Sequence, residues 1–160
     1  MNNLTLIAAV GENLELGFNN ALIWHLPDDL KFFKEKTNGK TIVMGYNTLL
    51  SLPKVLPNRR HLVLTKKNIK IDGVEIFNSK EELINEIIKI KEEVFIIGGA
   101  SIYKQFIDEA NKIYLTEIKA SEKADAYFPQ FNKDDYESEI IGENINNNIE
   151  FKHVLYRKKK

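Results

Sequence analysis

The chain has 160 residues, with 23 lysines and arginines balanced by 23 aspartates and glutamates. That length suits one domain, 1–160, and the balanced charge argues against a protein that coats nucleic acid. There is no cysteine, which excludes disulfide scaffolds and thiolate metal sites, and the three histidines lack a metal-ligand spacing. The N-terminal segment resembles neither a signal peptide nor a membrane span, so we expect a cytoplasmic protein.

Short apolar runs predict strands, and several are apolar throughout, which is typical of strands covered on both faces. The predicted strands are 4–10, 41–46, 61–65, 74–77, 94–98 and 113–118, and 135–141 and 150–156 flank an asparagine turn. Helical patterns cover 27–36, 48–52, 80–91 and 100–110, the third preceded by a capping box of Ser79 and Glu82. The order predicts an α/β fold: a mixed, mostly parallel central sheet flanked by helices, with a C-terminal antiparallel hairpin at or near one edge.

Three loops that follow predicted strands carry residues suited to phosphate groups, and ligands of parallel sheets bind at such loops. FIIGGAS (95–101) has a glycine pair before a helix, and IVMGYNT (42–48) ends in glycine with Asn47 or Thr48 as a helix cap. LVLTKK (62–67) adds a hydroxyl and two ammonium groups, which suit a phosphate monoester. Each loop alone is equally compatible with a tight or solvated turn, whereas two glycine corners together can hold the two phosphates of a dinucleotide.

Two adjacent carboxylates open the first helix, in LIWHLPDDLKFFK (22–34). On a helical wheel Leu26, Leu30 and Phe33 form an apolar stripe, and Asp29 lies beside it. Asp28 is rotated toward water, where a first-turn carboxylate gains from the helix dipole. Asp29 points toward apolar surface and needs a hydrogen-bond partner, either a core Thr or Trp side chain or a ligand. The large apolar faces of Trp24, Leu30 and Phe33 favour a ligand pocket.

At this point the chain resembles the dihydrofolate reductase family of the chromosomal bacterial type, over essentially its whole length. The segments that carry the resemblance occur in family order and spacing: LIAAV, LGFNNALIWHLPDDLKFFK, TIVMGYNT, LPNRRHLVLT, FIIGGASIYKQF, IYLTEI and DAYFP. The resemblance implies NADPH-dependent reduction of dihydrofolate to tetrahydrofolate, which serves one-carbon metabolism and thymidylate synthesis. It also implies antifolates as ligands, no metal, no nucleic acid or membrane partner, and a monomer.

The resemblance assigns site residues one by one. Asp29 would be the active-site acid, supported by Thr116, and the catalytic group would be Asp29, Trp24 and Leu22. Arg59 would pair with the α-carboxylate of the folate glutamate. The substrate pocket would comprise Ile7, Ala8, Ala9, Asp29, Leu30, Phe33, Leu52, Leu56, Arg59, Ile97 and Thr116. The NADPH site would comprise Ala9, Leu16, Gly17, Asn20, Gly45, Tyr46, Asn47, Thr48, Leu64, Thr65, Lys66, Ile97, Gly98, Gly99, Ala100, Ser101, Ile102 and Tyr103.

The stretch from Gly11 to Trp24 would be a mobile loop that closes over nicotinamide, braced by the loop containing Asp125. Tyr46 and Ser101 stand where arginines are frequent, and Ile23 replaces a frequent proline. Lys66 and Lys67 would then supply the positive charge near the cofactor phosphates. Two alternatives are a pyrimidine or flavin-pathway reductase on the same scaffold and a catalytically silent folate- or nucleotide-binding module. The pair Asp29 and Arg59 argues against the first, and the intact Asp29 and glycine pair against the second.

Overall fold

The structure, a computed structural model, describes residues 3–160. Its strands are β1 (Leu4–Val10), β2 (Glu15–Phe18), β3 (Ala21–Leu22), β4 (Thr41–Gly45), β5 (Arg60–Leu64), β6 (Val74–Phe77), β7 (Val94–Ile96), β8 (Lys112–Ile118), β9 (Ala126–Tyr127), β10 (Tyr136–Asn146) and β11 (Ile149–Lys158). Its helices are α1 (Pro27–Thr37), α2 (Tyr46–Ser51), α3 (Lys80–Ile88) and α4 (Ala100–Phe106), with one 3-10 turn, Lys133–Asp135.

One eight-stranded sheet organises the fold, in the order β10-β11-β8-β1-β7-β4-β5-β6. The six strands from β8 to β6 are parallel, whereas β11 pairs antiparallel with β8 and β10 antiparallel with β11. The predicted mixed, mostly parallel sheet with an antiparallel hairpin at one edge is therefore confirmed. Among residues 3–160 no helix is both long enough and apolar enough to cross a membrane.

Helices cover both faces of the sheet, which is why its central strands β1, β7 and β4 are apolar at nearly every position. On one face Leu6 of β1 packs in a cluster with Ile87 of α3 and Phe106 of α4. On the other face Met44 of β4 packs with Leu49 of α2, and Phe33 of α1 lies against this second cluster. The α1 face, at the C-terminal ends of the strands, is where the predicted acid lies.

The structure contains elements that the sequence did not predict and ends others earlier. A second sheet, β3-β2-β9, forms within the predicted mobile loop and its brace, and strands of two to four residues are too short to show a period. The helices predicted over 80–91 and 100–110 end at Ile88 and Phe106. Helix α2 begins at Tyr46 after Gly45, with no side-chain cap, so the cap predicted at Asn47 or Thr48 is wrong.

The predicted capping box is half present. The Ser79 side chain accepts from the Glu82 N–H at 3.1 Å, as expected. The Glu82 carboxylate accepts from the N–H of Asn78, one residue before the N-cap, at 3.4 Å. The serine cap is therefore the stronger half.

We expect Ser79→Ala to lower the unfolding free energy by ~1 kcal/mol, because one first-turn N–H of α3 loses its partner. Ser138→Ala, on the exposed edge strand β10, is the matched control and should change stability less. Chemical denaturation of both variants measures the difference. Equal effects of the two substitutions would show that the Ser79 cap contributes nothing specific.

Candidate active site

The three loops that carry the glycines and lysines follow β7, β4 and β5. They meet at the C-terminal ends of these strands. Strands β7, β4 and β5 are parallel neighbours, so their C-terminal ends lie side by side. The Gly45 N–H donates to the Gly98 carbonyl at 2.9 Å, which joins the first two corners. The Lys67 ammonium lies 4.8 Å from the centre of the Tyr46 ring, which brings the third corner to the second. The sequence-predicted phosphate-binding loops therefore form one continuous surface.

The glycines of this surface leave room that a side chain would fill. Gly98 has a φ of +124°, and a Cβ there would lie 3.4 Å from the Tyr103 ring. A Cβ on Gly45 would lie 3.1 Å from Ile102 Cγ1. Neither α2 nor α4 carries a side-chain cap, so the backbone N–H groups of their first turns face this edge without one. Backbone N–H groups, a lysine ammonium and hydroxyl groups can all donate hydrogen bonds to the phosphates of a dinucleotide.

The turn after β5, which contains Thr65, Lys66 and Lys67, is fixed by a residue that was not predicted from the sequence. Asn78 Nδ2 donates to the carbonyl groups of Thr65 and Lys67, at 2.8 and 3.1 Å. The Thr65 hydroxyl oxygen accepts from the Lys67 N–H at 3.2 Å. The side chain of Lys66 is exposed beside this fixed turn. An asparagine just before a helix cap signals only a turn, so its reach to the neighbouring strand could not be predicted.

The predicted acid and its support are brought together as the resemblance implied. Asp29 lies in the first turn of α1, and its Oδ1 accepts from the Thr116 hydroxyl at 2.6 Å. About a quarter of its side chain is exposed, 23%. Burial raises the pKa of Asp29, and the Thr116 hydrogen bond opposes that rise. One carboxylate oxygen is thus bound to Thr116, and the other is the atom left for a ligand.

The prediction that Asp28 is simply solvated is wrong. Its backbone N–H donates to Asn146 Oδ1 at 2.9 Å, and its carboxylate accepts from Asn146 Nδ2 at 2.8 Å. Leu26, the N-cap of α1, offers no side-chain cap, so Asn146 at the tip of the β10–β11 hairpin supplies one from 118 residues away. This long-range contact has no local sequence signal.

The apolar stripe of α1 is only partly buried, which corrects the helical-wheel expectation. Leu26 is buried at 5% exposure, whereas Leu30 is 54% exposed. Trp24 and Phe33 pack in two separate clusters, so they do not wall one pocket by contacting each other. Leu22 in β3 is likewise 64% exposed. Large apolar side chains left exposed at a cleft are typical of a ligand site.

Arg59 lies at the other end of α1, held by three acceptors. Its Nε donates to Thr37 Oγ1 at 2.8 Å, its Nη2 to the Lys34 carbonyl at 2.7 Å and its Nη1 to the Pro57 carbonyl at 2.6 Å. A guanidinium has five N–H donors, so two remain for a ligand. Burial lowers the pKa of Arg59, which nevertheless stays charged at neutral pH.

A buried histidine fixes the segment that carries Arg59. His61 is 1% exposed; its Nε2 accepts from the Leu56 N–H at 3.1 Å, and its Nδ1 lies 3.0 Å from the Arg59 carbonyl. These roles require a neutral ring with the proton on Nδ1. Burial lowers the pKa of His61, which favours that neutral form.

A cavity of about 530 Å³ runs along α1 between Leu30 and Arg59. It is lined by Pro27, Leu30, Lys31, Lys34, Glu35, Asn38 and Arg59. Three cationic side chains face one carboxylate there, so the cavity favours an anionic group. The cavity therefore combines apolar surface from Pro27 and Leu30 with the guanidinium of Arg59.

The predicted mobile loop is braced as the resemblance implied. The Asn19 N–H donates to Asp125 Oδ2 at 3.1 Å, and the Asp125 N–H donates to the Gly17 carbonyl at 3.0 Å. Glu15 makes a second connection between β2 and the loop before β9, which was not predicted from the sequence. It is 2% exposed and accepts hydrogen bonds from Ser121 Oγ and the Glu122 N–H. Burial raises the pKa of Glu15, but these hydrogen bonds outweigh it and the net shift is downward.

Several predicted site residues are core residues whose side chains face away from α1. Ala8, Leu16, Ile102 and Tyr103 pack in the cluster beneath α3 and α4. The Tyr103 hydroxyl donates to the Ile7 carbonyl at 2.7 Å. Such residues would reach a ligand through their backbone or, for Tyr103, through the ring beneath Gly98. Ala9, Leu52, Leu56 and Ile97 are half-buried, and Leu52, Leu56 and Ile97 pack on the α1 side of the sheet.

Residues 3–158 match the family model described as dihydrofolate reductase. The dihydrofolate reductase of Buchnera aphidicola (subsp. Acyrthosiphon pisum, strain APS) is 44% identical over 132 residues, which are 81% of this chain and 80% of that protein. The Haemophilus influenzae protein of the same name is 36% identical over 136 residues, 85% and 84% of the two chains. The chain belongs to the dihydrofolate reductase family. Its reaction is the NADPH-dependent reduction of dihydrofolate.

A solved dihydrofolate reductase from Enterococcus faecalis, described as complexed with NADP(H) and RAB-propyl, superposes with a TM-score of 0.91 at 30% identity. The match covers 98% of this chain and 96% of that one. The expectations of a dihydrofolate reductase fold, of an oxidoreductase and of NADPH as cofactor are confirmed. The roles of individual residues remain predictions.

We expect Arg59→Lys to weaken dihydrofolate binding by a factor of ~10 or more. Lysine keeps the charge, but it loses the bidentate geometry of the guanidinium and its three hydrogen bonds to the protein. A pteridine without the glutamate tail should bind almost unchanged. Fluorescence titration with both ligands measures the two losses. Equal losses would mean that Arg59 only supports the fold.

Proposed function

We propose that this reductase binds dihydrofolate along α1. Asp29 would bind the amino-pyrimidine edge, and Arg59 would bind the α-carboxylate of the glutamate. The observation that carries the proposal is the placement of these two charges at opposite ends of one helix. Arg59 is anchored to Lys34 and Thr37, five and eight residues beyond Asp29. At 1.5 Å per residue that is roughly 8–12 Å along the axis.

The surface between the two charges supports the same orientation. Leu30 is exposed there, and the cavity along α1 is lined by Pro27 and Leu30 as well as by Lys31, Lys34 and Arg59. An amino-pyrimidine head, an aromatic middle and a carboxylate tail would meet a carboxylate, an apolar wall and a guanidinium in that order. A flavin-pathway substrate has no such tail to occupy Arg59. The arrangement therefore favours a folate over other pyrimidines.

Asp29 acts in the reaction as a charge held beside the pteridine. Hydride adds to the imine carbon, and protonation of the adjacent ring nitrogen makes that carbon electrophilic. Asp29 binds the other end of the ring, so a water carries the proton while the carboxylate raises the basicity of the nitrogen. Burial raises the pKa of Asp29, and the Thr116 hydrogen bond opposes that rise and so favours the charged form that this role needs.

The cofactor surface is the edge formed by Gly45, Gly98 and the turn that contains Lys66. NADPH bound there supplies the hydride. The chain's own residues orient it: the glycines admit the diphosphate close to backbone, and Lys66 and Lys67 neutralise the ribose phosphate in place of the frequent arginines. The loop that contains Leu22 and Trp24 excludes water when it closes. A cytoplasmic location and a monomeric state remain predictions from the sequence.

We expect Asp29→Asn to cut hydride transfer by orders of magnitude while NADPH binding stays intact. Asp28→Asn is the matched control, because an asparagine at 28 still offers an oxygen to Asn146 and should keep near-normal turnover. Pre-steady-state hydride transfer measures both. If Asp28→Asn is the crippling change, the two aspartates have been assigned the wrong way round.

The same variants differ in their dependence on pH. The wild-type rate should fall as pH rises through the apparent pKa of the enzyme–substrate complex. The Asp29→Asn rate should keep rising at lower pH, because substrate protonated in solution partly replaces the lost charge.

A raised carboxyl pKa also costs stability above the unfolded value of about 3.9. Asp29→Asn should therefore unfold at a higher denaturant concentration than wild type at pH 7, and a loss of stability would contradict the burial argument.

We expect Lys66→Ala to weaken NADPH binding by about 1.5–3 kcal/mol, the size of a charge-assisted hydrogen bond, and NADH binding much less. Lys70→Ala, on the same exposed loop, is the control and should affect neither cofactor. Titration of both cofactors by fluorescence gives the comparison. Equal losses for NADPH and NADH would remove Lys66 from the ribose-phosphate site.

A further inference from the structure

His153 lies directly beside the acid, although it is not among the predicted site residues. It is on β11, in register with Thr116 of β8, and is 8% exposed. Its ring stacks on Phe32 with centroids 3.9 Å apart and planes 8° apart, and Phe151 packs edge-on at 5.6 Å. These aromatic contacts fix the plane of the ring.

The hydrogen bonds around Thr116 determine which histidine nitrogen carries the proton. His153 Nδ1 is 2.8 Å from Thr116 Oγ1, and Thr116 Oγ1 is 2.6 Å from Asp29 Oδ1. A threonine hydroxyl has one proton, and an ionised carboxylate can only accept. That proton therefore points to Asp29, and Nδ1 must donate to Thr116. An Nδ1 without a proton could only accept, and it would compete with Asp29 for the hydroxyl proton of Thr116.

We propose that His153 is a positioning residue for the reaction: its Nδ1–H donates to Thr116 and so directs the single hydroxyl proton onto Asp29. The proposal rests on the role given to Asp29 above. A donor to the hydroxyl oxygen polarises the O–H and strengthens its bond to the carboxylate, since hydrogen bonds in a chain reinforce one another. It also keeps Asp29 Oδ1 engaged, so Oδ2 is the oxygen presented to the substrate.

Burial favours a neutral His153 ring, which still has one N–H donor. Burial lowers its pKa; Asp28 opposes this shift and Lys36 adds to it. Tyr103 of α4 and Tyr114 of β8 stay protonated, because burial raises their pKa values. Protonation at low pH would add a proton at Nε2 and leave the Nδ1–H bond in place. The contact to Thr116 therefore persists across the working range of pH.

The tautomer of His153 tests the proposal in the wild-type enzyme, without any substitution. Two-bond ¹⁵N–¹H spectra of histidine-labelled protein at pH 7.5 should show the proton of this residue on Nδ1. A neutral ring protonated on Nε2 would overturn the proposal. This measurement does not depend on activity, so it stands apart from the test of Asp29.

His153→Phe is the informative variant, because it keeps the stacked ring and loses the donor. The pKa of Asp29, followed by ¹³C NMR of its carboxyl carbon, should rise by about half a unit to one unit. The pH profile of hydride transfer should move in the same direction. His153→Asn, whose amide places an N–H near the position of Nδ1, should restore part of the shift.

Phe151→Leu is the matched control, since it loosens the packing of the ring and leaves the hydrogen bond intact. It should lower stability and leave the Asp29 titration in place. An unchanged titration in His153→Phe, or an equal shift in Phe151→Leu, would overturn the proposal. Full activity of Asp29→Asn would instead overturn the proposed role of Asp29, whatever the histidine tautomer.

Discussion

The structure around α1 depends on one costly feature, the placement of the Asp29 carboxylate against apolar surface with three-quarters of its side chain covered. A buried carboxylate is tolerated only if other groups donate to it. Thr116 donates to Asp29 Oδ1 at 2.6 Å, and β8 is paired with β11 so that His153 lies behind that donor. In our proposal the second carboxylate oxygen binds the substrate, and the cost of burial then contributes to selectivity for an amino-pyrimidine.

The C-terminal hairpin contacts the candidate active site, although it lies at the edge of the sheet. Asn146 caps α1 at its first turn, and His153 approaches the same turn through Thr116. Both contacts hold the N-terminal end of α1, where Asp29 lies, while Thr37 and Arg59 hold its C-terminal end. A helix fixed at both ends keeps the carboxylate and the guanidinium at a constant separation, which in our proposal selects for the length of the ligand.

The sequence predicted what depends on local pattern. Two-sided burial made β1 and β4 apolar at nearly every position, and the Ser79 cap follows from a local rule. The three corners could be placed at one edge because parallel strands share an end. What the sequence missed are contacts between residues far apart in the chain: Asn146 with Asp28, Asn78 with the Lys67 turn, and Glu15 with Ser121. His153 had one signal, a polar residue on the same strand face as Phe151 and Leu155.

Tyr46, which stands where an arginine is frequent in the family, contacts a lysine of the neighbouring loop. Tyr46 brings no charge to the cofactor edge, but its ring holds the Lys67 ammonium at 4.8 Å, where a cation–π contact restrains a flexible side chain. The positive charge thus comes from the turn after β5 instead of from α2. Because Asn78 holds that turn through two carbonyl groups, the charge is placed by backbone geometry. If Lys66 and Lys67 bind the ribose phosphate as proposed, substitutions at Asn78 would act on NADPH affinity through the position of these two lysines.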